Sequence, residues 1–275
     1  MSELKCEDLP DSEILIAGTP CQDFSNENRT SGKILESPKN LLVRKFIEIA
    51  NGMKNLKVFV LENVPQILTK GKMFLEELKS SLSDFEITIN KVCSSDFGSV
   101  QKRERAIIIG SKIGKIELIP PKIRLCKTVR DSFRGLNDSI PNQLDYSKPR
   151  PETLEKIRNI PEGGNFKDLP ISLSGNYTKN THSCTLKRLA YDEQCITIAN
   201  VRKSNILSPD ISQNRQLTVR ECCRLFDLPD TFILKGTLAA KQQMIANAVP
   251  LTLATAIAKV VKEKMQKYQL SVVSI

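Results

Sequence analysis

The stretch "ILIAGTPCQDFS", residues 14–25, joins a short apolar run to a thiol. "ILIAG", 14–18, reads as a buried strand, and Thr19, Pro20 and Cys21 follow at once. In an open α/β sheet the carboxyl ends of the strands border the ligand crevice, so Cys21 stands where chemistry is done. Pro20 stiffens the loop and has no N–H to offer a ladder. By itself Cys21 also reads as a structural thiol. An ordinary thiol of pKa ~8.5 is mostly protonated at neutral pH and needs help from its surroundings to attack anything.

Outward from this stretch the pattern alternates. "NLLVRKFIEIAN", 40–51, has apolar residues at helical spacing, with Leu42, Phe46 and Ile49 on one side. "VFVLEN", 58–63, is a second buried strand that ends in polar residues. "GKMFLEELKSSL", 71–82, is an amphipathic helix, "FEITINKVCSSDFG", 85–98, a strand running into a turn, and "RAIIIGS", 105–111, another apolar strand. This predicts an α/β sheet with parallel strands over residues 1–111. From 112 to 214 the texture is irregular and rich in proline and turn residues, as in "SIPNQLDYSKPRPETLEK", so a loop-rich second lobe is expected there. Order returns over 215–275. "TVRE", 218–221, is a capping box, with Val219, Cys222, Cys223 and Phe226 at core spacing behind it. Cys222 and Cys223 therefore read as small core hydrophobes. Pro250 opens a last helix, striped by Leu253, Ile257, Val260 and Val261.

Composition narrows the partners. The chain has 275 residues and a net charge of +10. Residues 111–215 hold 18 Lys/Arg against 11 Asp/Glu, a net of +7, which leaves +3 for all the rest. A basic middle segment suits a polyanion such as nucleic acid, although a solvated lysine-rich surface has the same composition. The eight cysteines include no C-x-x-C pair and His182 is the one histidine, so no zinc cage is expected. A cysteine–histidine dyad would have to recruit His182 from the irregular lobe. No apolar run of ~18 residues and no apolar leader occur, which predicts a cytoplasmic protein with reduced thiols and no membrane segment.

Two more clusters can carry chemistry. Glu62 follows Leu61 at the end of the second strand, at the sheet edge expected for Cys21. A partly desolvated carboxyl there can hold or donate a proton, or it can simply cap a helix. In "QKRER", 101–105, Arg103 and Arg105 alternate and so share one face of an extended segment. Two guanidinium groups on one face suit phosphate or carbonyl oxygens, and an exposed basic edge is the plainer alternative.

In order along the chain, "PCQDFS", "ENV", "QKRER", "RQLTVRECCRLFDLPD" and "QQMIANAVP" resemble the cytosine-5 DNA methyltransferase family over about residues 8–263. The resemblance implies a partial Rossmann-like methyltransferase sheet, later strands only, with 112–214 as a small target-recognition lobe. It implies that a cytosine is flipped out of double-stranded DNA, that Cys21 attacks ring C6, and that Glu62 meets N3. Arg103 and Arg105 would hold the flipped nucleotide, and Gln22 and Ser25 would lie on the loop that closes over DNA. Pro20, Asn247 and Val249 would line part of the pocket for the methyl donor, S-adenosylmethionine. No metal is implied.

The chain departs from that pattern too. Only 20 residues precede Cys21 and no G-x-G occurs, so the glycine-rich strands that hold the methyl donor are expected to come from a second polypeptide, with a fragment of a longer enzyme as the other reading. Thr19 stands where the family usually has phenylalanine, Val100 where it has proline, and Ala246 where it has glycine. A catalytically inactive DNA-binding remnant and an RNA cytosine-5 methyltransferase are the alternatives.

Overall fold

The computed structural model describes residues 4–19, 41–122, 126–175, 177–178, 180–199 and 201–273. The chain divides into two compact units, each drawn from separated stretches.

The first unit takes Met1–Cys93, Glu104–Pro120 and Ala256–Ile275. Its sheet has four strands: β1 (Ile14–Gly18), β2 (Val58–Asn63), β3 (Glu86–Cys93) and β4 (Glu104–Ser111), in the order β1-β2-β4-β3. β1 pairs parallel with β2, whereas β4 runs antiparallel to both β2 and β3. The expectation of parallel strands is thus corrected for β4. Only Ser94–Arg103 separates β3 from β4. A parallel crossover needs a dozen residues or more, so this link can only return the chain antiparallel.

Two helices, α1 (Leu41–Gly52) and α2 (Lys72–Ser81), contribute to this unit's core. Val43, Phe46, Ile47 and Ala50 fall on one face of α1, and Phe74, Leu75 and Leu78 on one face of α2. They are buried together with Phe59, Leu61, Ala106 and Ile108 of the sheet. Gly110 faces Phe59 across the ladder, and the Phe59 ring lies over the glycine where any Cβ would collide with it. That ring also meets Phe46 edge-on at 5.5 Å and Phe85 at 5.1 Å. The absent side chain at 110 is what lets three aromatics meet over the sheet.

The second unit takes Ser94–Arg103 and Pro121–Thr255. Its helices are α3 (Val129–Phe133), α4 (Pro151–Arg158), α5 (Ile171–Ser174), α6 (Val201–Ser204), α7 (Val219–Leu225) and α8 (Leu238–Asn247). The final helix, α9 (Leu251–Val273), begins here and continues in the residues of the first unit. The capping box forms as its sequence predicts: Thr218 Oγ1 accepts from the Glu221 N–H at 3.0 Å, and the Glu221 carboxylate accepts from the Thr218 N–H at 2.8 Å. Cys222 and Cys223 are core residues, and burial pushes both thiols up, Cys223 to about 11.

With so many loops, backbone carbonyls need donors, and two buried arginines supply them. Arg188 is fully buried and donates to the carbonyls of Ile157, Ile160 and Ser208 at 2.8–2.9 Å. Burial lowers its pKa from the usual arginine value. Arg220, equally buried, donates to the carbonyls of Pro141, Pro229 and Phe232. Each guanidinium fork satisfies several segments at once, a task that no apolar side chain performs. No single helix among the described residues is long and apolar enough to cross a membrane.

Candidate active site

The register of the sheet builds the site. Gly18, the last residue of β1, pairs with Glu62 of β2, so both strands end at one edge. Glu62 Oε2 lies 3.5 Å from where a Cβ on Gly18 would stand. On its other side Glu62 faces Ile107 of β4. Arg105 is two residues from Ile107 and therefore on the same sheet face, a diagonal neighbour of Glu62. Arg105 Nε meets Glu62 Oε1 at 2.7 Å, and both side chains are largely shielded, at 11% and 20% exposure. Arg105 Nη1 also donates to the Glu104 carbonyl at 2.7 Å. The carboxyl group is thus held by one oxygen while the other points toward the end of β1.

Asn63, the next residue, is buried and was not singled out from the sequence. Its Nδ2 donates to Thr19 Oγ1 at 2.9 Å and to the Thr19 carbonyl at 3.3 Å, and its Oδ1 accepts from the Val64 N–H at 2.8 Å. The signal was available: a polar amide that ends an apolar strand must find partners for several hydrogen-bonding groups. Here two of them lie on Thr19, just ahead of Pro20 and Cys21 in sequence, and the third is the neighbouring Val64 N–H. Pro20, Cys21, Gln22 and Ser25 lie outside the described residues.

Arg103 and Arg105 do not act as a matched pair. Within the second unit, Arg103 is buried and donates to the carbonyls of Ile198 at 3.0 Å and Ala246 at 2.8 Å. Its guanidinium also stands 5.3 Å from the centre of the Phe226 ring. Strict alternation predicts a shared face, but β4 begins only at Glu104, so Arg103 precedes the extended ladder. Gln101 is anchored in the same unit, donating to the Leu225 carbonyl and accepting from the Ile198 N–H. Val100, in place of proline, is a core residue.

Asn247 ends α8 with its side chain exposed, and its Oδ1 accepts from Gln243 Nε2 at 2.8 Å. Val249 is half-buried. Ala246 lies inside α8 and is not among the residues with positive φ, so alanine suits this position without backbone strain. A cavity of about 540 Å³ opens elsewhere in the second unit, beside Arg130, Arg134, Tyr146, Tyr191 and Arg215. Those three arginines are paired with Asp192, Asp131 and Glu221 respectively, so their charge is already answered. Among the described residues, no cluster of three or more His, Cys, Asp or Glu is arranged to hold a metal ion.

The chain is similar to known proteins. The model of the family described as C-5 cytosine-specific DNA methylase matches residues 1–263. Type II methyltransferase M1.HphI of Haemophilus parahaemolyticus is 32% identical over 90% of this chain and 68% of its own length. Type II methyltransferase M.Eco47II of Escherichia coli is 28% identical over 93% of this chain and 64% of its own. The chain thus spans about two thirds of the length of these curated relatives. Among solved structures, a candidate DNA modification methyltransferase encoded within an E. coli prophage superposes with a TM-score of 0.69, at 21% identity over 94% of this chain and 80% of that one. The Entamoeba histolytica methyltransferase EhMeth gives 0.65, at 14% identity over 96% and 82%. At these identities the two structures speak for the fold alone, a mixed α/β methyltransferase fold around the four-stranded sheet. The family match over nearly the whole chain goes further: this chain belongs to the C-5 cytosine-specific DNA methylase family.

Proposed function

We propose that this chain carries the catalytic and target-reading part of a DNA (cytosine-5-)-methyltransferase. The enzyme would transfer a methyl group from S-adenosylmethionine to C5 of a cytosine within a specific double-stranded DNA sequence, in a restriction–modification setting. The observation that carries this reading is the pairing of Gly18 with Glu62, which puts the carboxyl group beside the strand end that leads into the Cys21 loop.

In this reading the target cytosine leaves the stack, at a cost of a few kcal/mol. The Cys21 sulfur forms a bond to ring C6, and the displaced electron pair moves toward C5 and N3. Glu62 hydrogen-bonds or protonates N3 with the oxygen that Arg105 leaves free, so the ring accepts those electrons. C5 becomes the nucleophile. Once C5 has been methylated and its proton has left, the electrons return, the C6–S bond breaks and Cys21 departs as thiolate. Arg105 orients Glu62. Arg103, its guanidinium turned to carbonyls, acts as a positioning residue within the second unit, and Gln22 and Ser25 contact DNA.

S-adenosylmethionine supplies the methyl group when bound. Pro20, Asn247 and Val249 would form one wall of its pocket, and the described residues do not enclose the rest. β1 has one ladder partner, β2, and its far edge is open among the described residues. On one face of it Ile14 and Ile16 are exposed, Ile16 at 71%. An open apolar strand edge accepts another strand. The open edge suits donor-binding strands that pair along β1, which this reading assigns to a second polypeptide, with residues 112–214 as the target-recognition lobe between 1–111 and 215–275. Tritiated methyl transfer to DNA tests the whole reading. The chain co-produced with such a partner is expected to label DNA, and Cys21→Ser in the same assembly is expected to bind DNA without labelling it. Substantial turnover by the serine variant overturns the assignment of the nucleophile.

A further inference from the structure

Outside the site described above, the chain's one histidine touches a thiol. His182 Nδ1 lies 2.9 Å from Cys184 Sγ. The same nitrogen accepts the Cys184 backbone N–H at 3.3 Å, which marks Nδ1 as the acceptor nitrogen, with the sulfur as its nearer second neighbour. The Cys184 thiol also donates to Ser204 Oγ at 3.4 Å, and once the sulfur is a thiolate that hydroxyl can turn and donate to it.

The turn that holds this group is firmly tied. The Thr185 N–H donates to the His182 carbonyl at 2.9 Å, closing the turn that brings side chains 182 and 184 together. The Leu186 N–H donates to the Ser204 carbonyl at 2.8 Å, which draws α6 alongside. Asn165 Nδ2 donates to the Ser183 carbonyl at 3.2 Å. His182 is exposed and Cys184 half-buried, so a small reagent can reach the sulfur. Three other thiols of the second unit differ: Cys195, Cys222 and Cys223 are buried and pushed up by burial, which makes them inert.

We propose that Cys184, with His182 as its base, is a thiol-modification site for low-molecular-weight disulfides. Cys184 Sγ attacks one sulfur of the disulfide as its proton passes to His182 Nδ1. A new S–S bond joins Cys184 to half of the reagent, and the old S–S bond breaks. The other half leaves as a thiolate and takes up a proton, so the net products are a protein mixed disulfide and one small thiol. Ser204 Oγ steadies the developing charge on sulfur.

The test uses the full chain and the aromatic disulfide dithiodipyridine, with the modified cysteine located by peptide mass mapping over time. Cys184 is expected to react about tenfold faster than Cys126, an exposed cysteine without a histidine neighbour. In His182→Ala, the Cys184 rate is expected to fall to that of Cys126, and free imidazole to restore it. The proposal is overturned if Cys184 is no faster than Cys126, if His182→Ala leaves its rate unchanged, or if imidazole restores nothing.

Discussion

Asn63 fastens Thr19: its Nδ2 donates to the Thr19 hydroxyl at 2.9 Å and to the Thr19 carbonyl at 3.3 Å. Both residues are buried, so water cannot stand in for the lost amide. Asn63→Ala is therefore expected to cost about 1–3 kcal/mol of stability and to slow methyl transfer by loosening Thr19, two residues before Cys21. Denaturant unfolding and turnover of one preparation check both. A variant matching wild type in each would mean that Thr19 is placed by something else.

The contact between Arg105 and Glu62 makes a separate prediction. Arg105→Lys keeps the charge but loses the planar fork that also reaches the Glu104 carbonyl. Methyl transfer is expected to fall about tenfold or more with DNA affinity nearly unchanged. Glu62→Gln, which removes the acid itself, is expected to fall by about 10²–10⁴. Single-turnover rates on one duplex separate the two effects. Equal turnover by Arg105→Lys and wild type would remove the orienting role.

Much of this was readable beforehand, and the reasons are particular. Apolar runs at 58–63 and 105–111 announced strands because most of their residues are buried, whereas the run at 14–18 forms a strand that is not the buried one expected: its residues are exposed or half-buried, since β1 has a neighbour on one edge only among the described residues. "TVRE" announced a helix start because its capping bonds are local. Strand direction was not legible. The reversal of β4 depends on the length of the link 94–103, which apolar patterning does not encode. The split between Arg103 and Arg105 was hidden for a related reason. The partners of Arg103, at 198 and 246, lie far away in sequence, and alternation describes only neighbours. The role of Asn63 is not encoded locally, because its main partner, Thr19, follows the end of another strand.

If residues 112–214 read the target, exchanging that segment for the equivalent of a related enzyme should move the methylated sequence. Bisulfite sequencing of DNA treated with each assembly reports the target directly. A correctly folded exchange that methylates the original sequence would assign specificity elsewhere.

Arg188 provides a stability test. Arg188→Met fills similar space but strips donors from the carbonyls of Ile157, Ile160 and Ser208. A loss of about 3 kcal/mol or more is expected, since each buried acceptor left bare costs ~1–3 kcal/mol. Arg130→Ala, which breaks the exposed pair with Asp192, is expected to cost ~1 kcal/mol or less. Comparable losses in the two variants, measured by thermal unfolding, would contradict the role given to buried guanidinium groups here.

The interleaving of the two units governs how the chain is made. The first unit draws its last stretch from Ala256 onward, after the whole of the second unit has been synthesised. The four strands are complete by Ser111, yet for about half of its synthesis a growing chain carries the first unit without the helix residues Ile257, Val261 and Met265, which are buried in the folded protein. A premature stop anywhere in the second unit deprives the first of its final piece as well. Cells that carry such a stop should clear the product as one misfolded whole, leaving no half-protein able to occupy DNA.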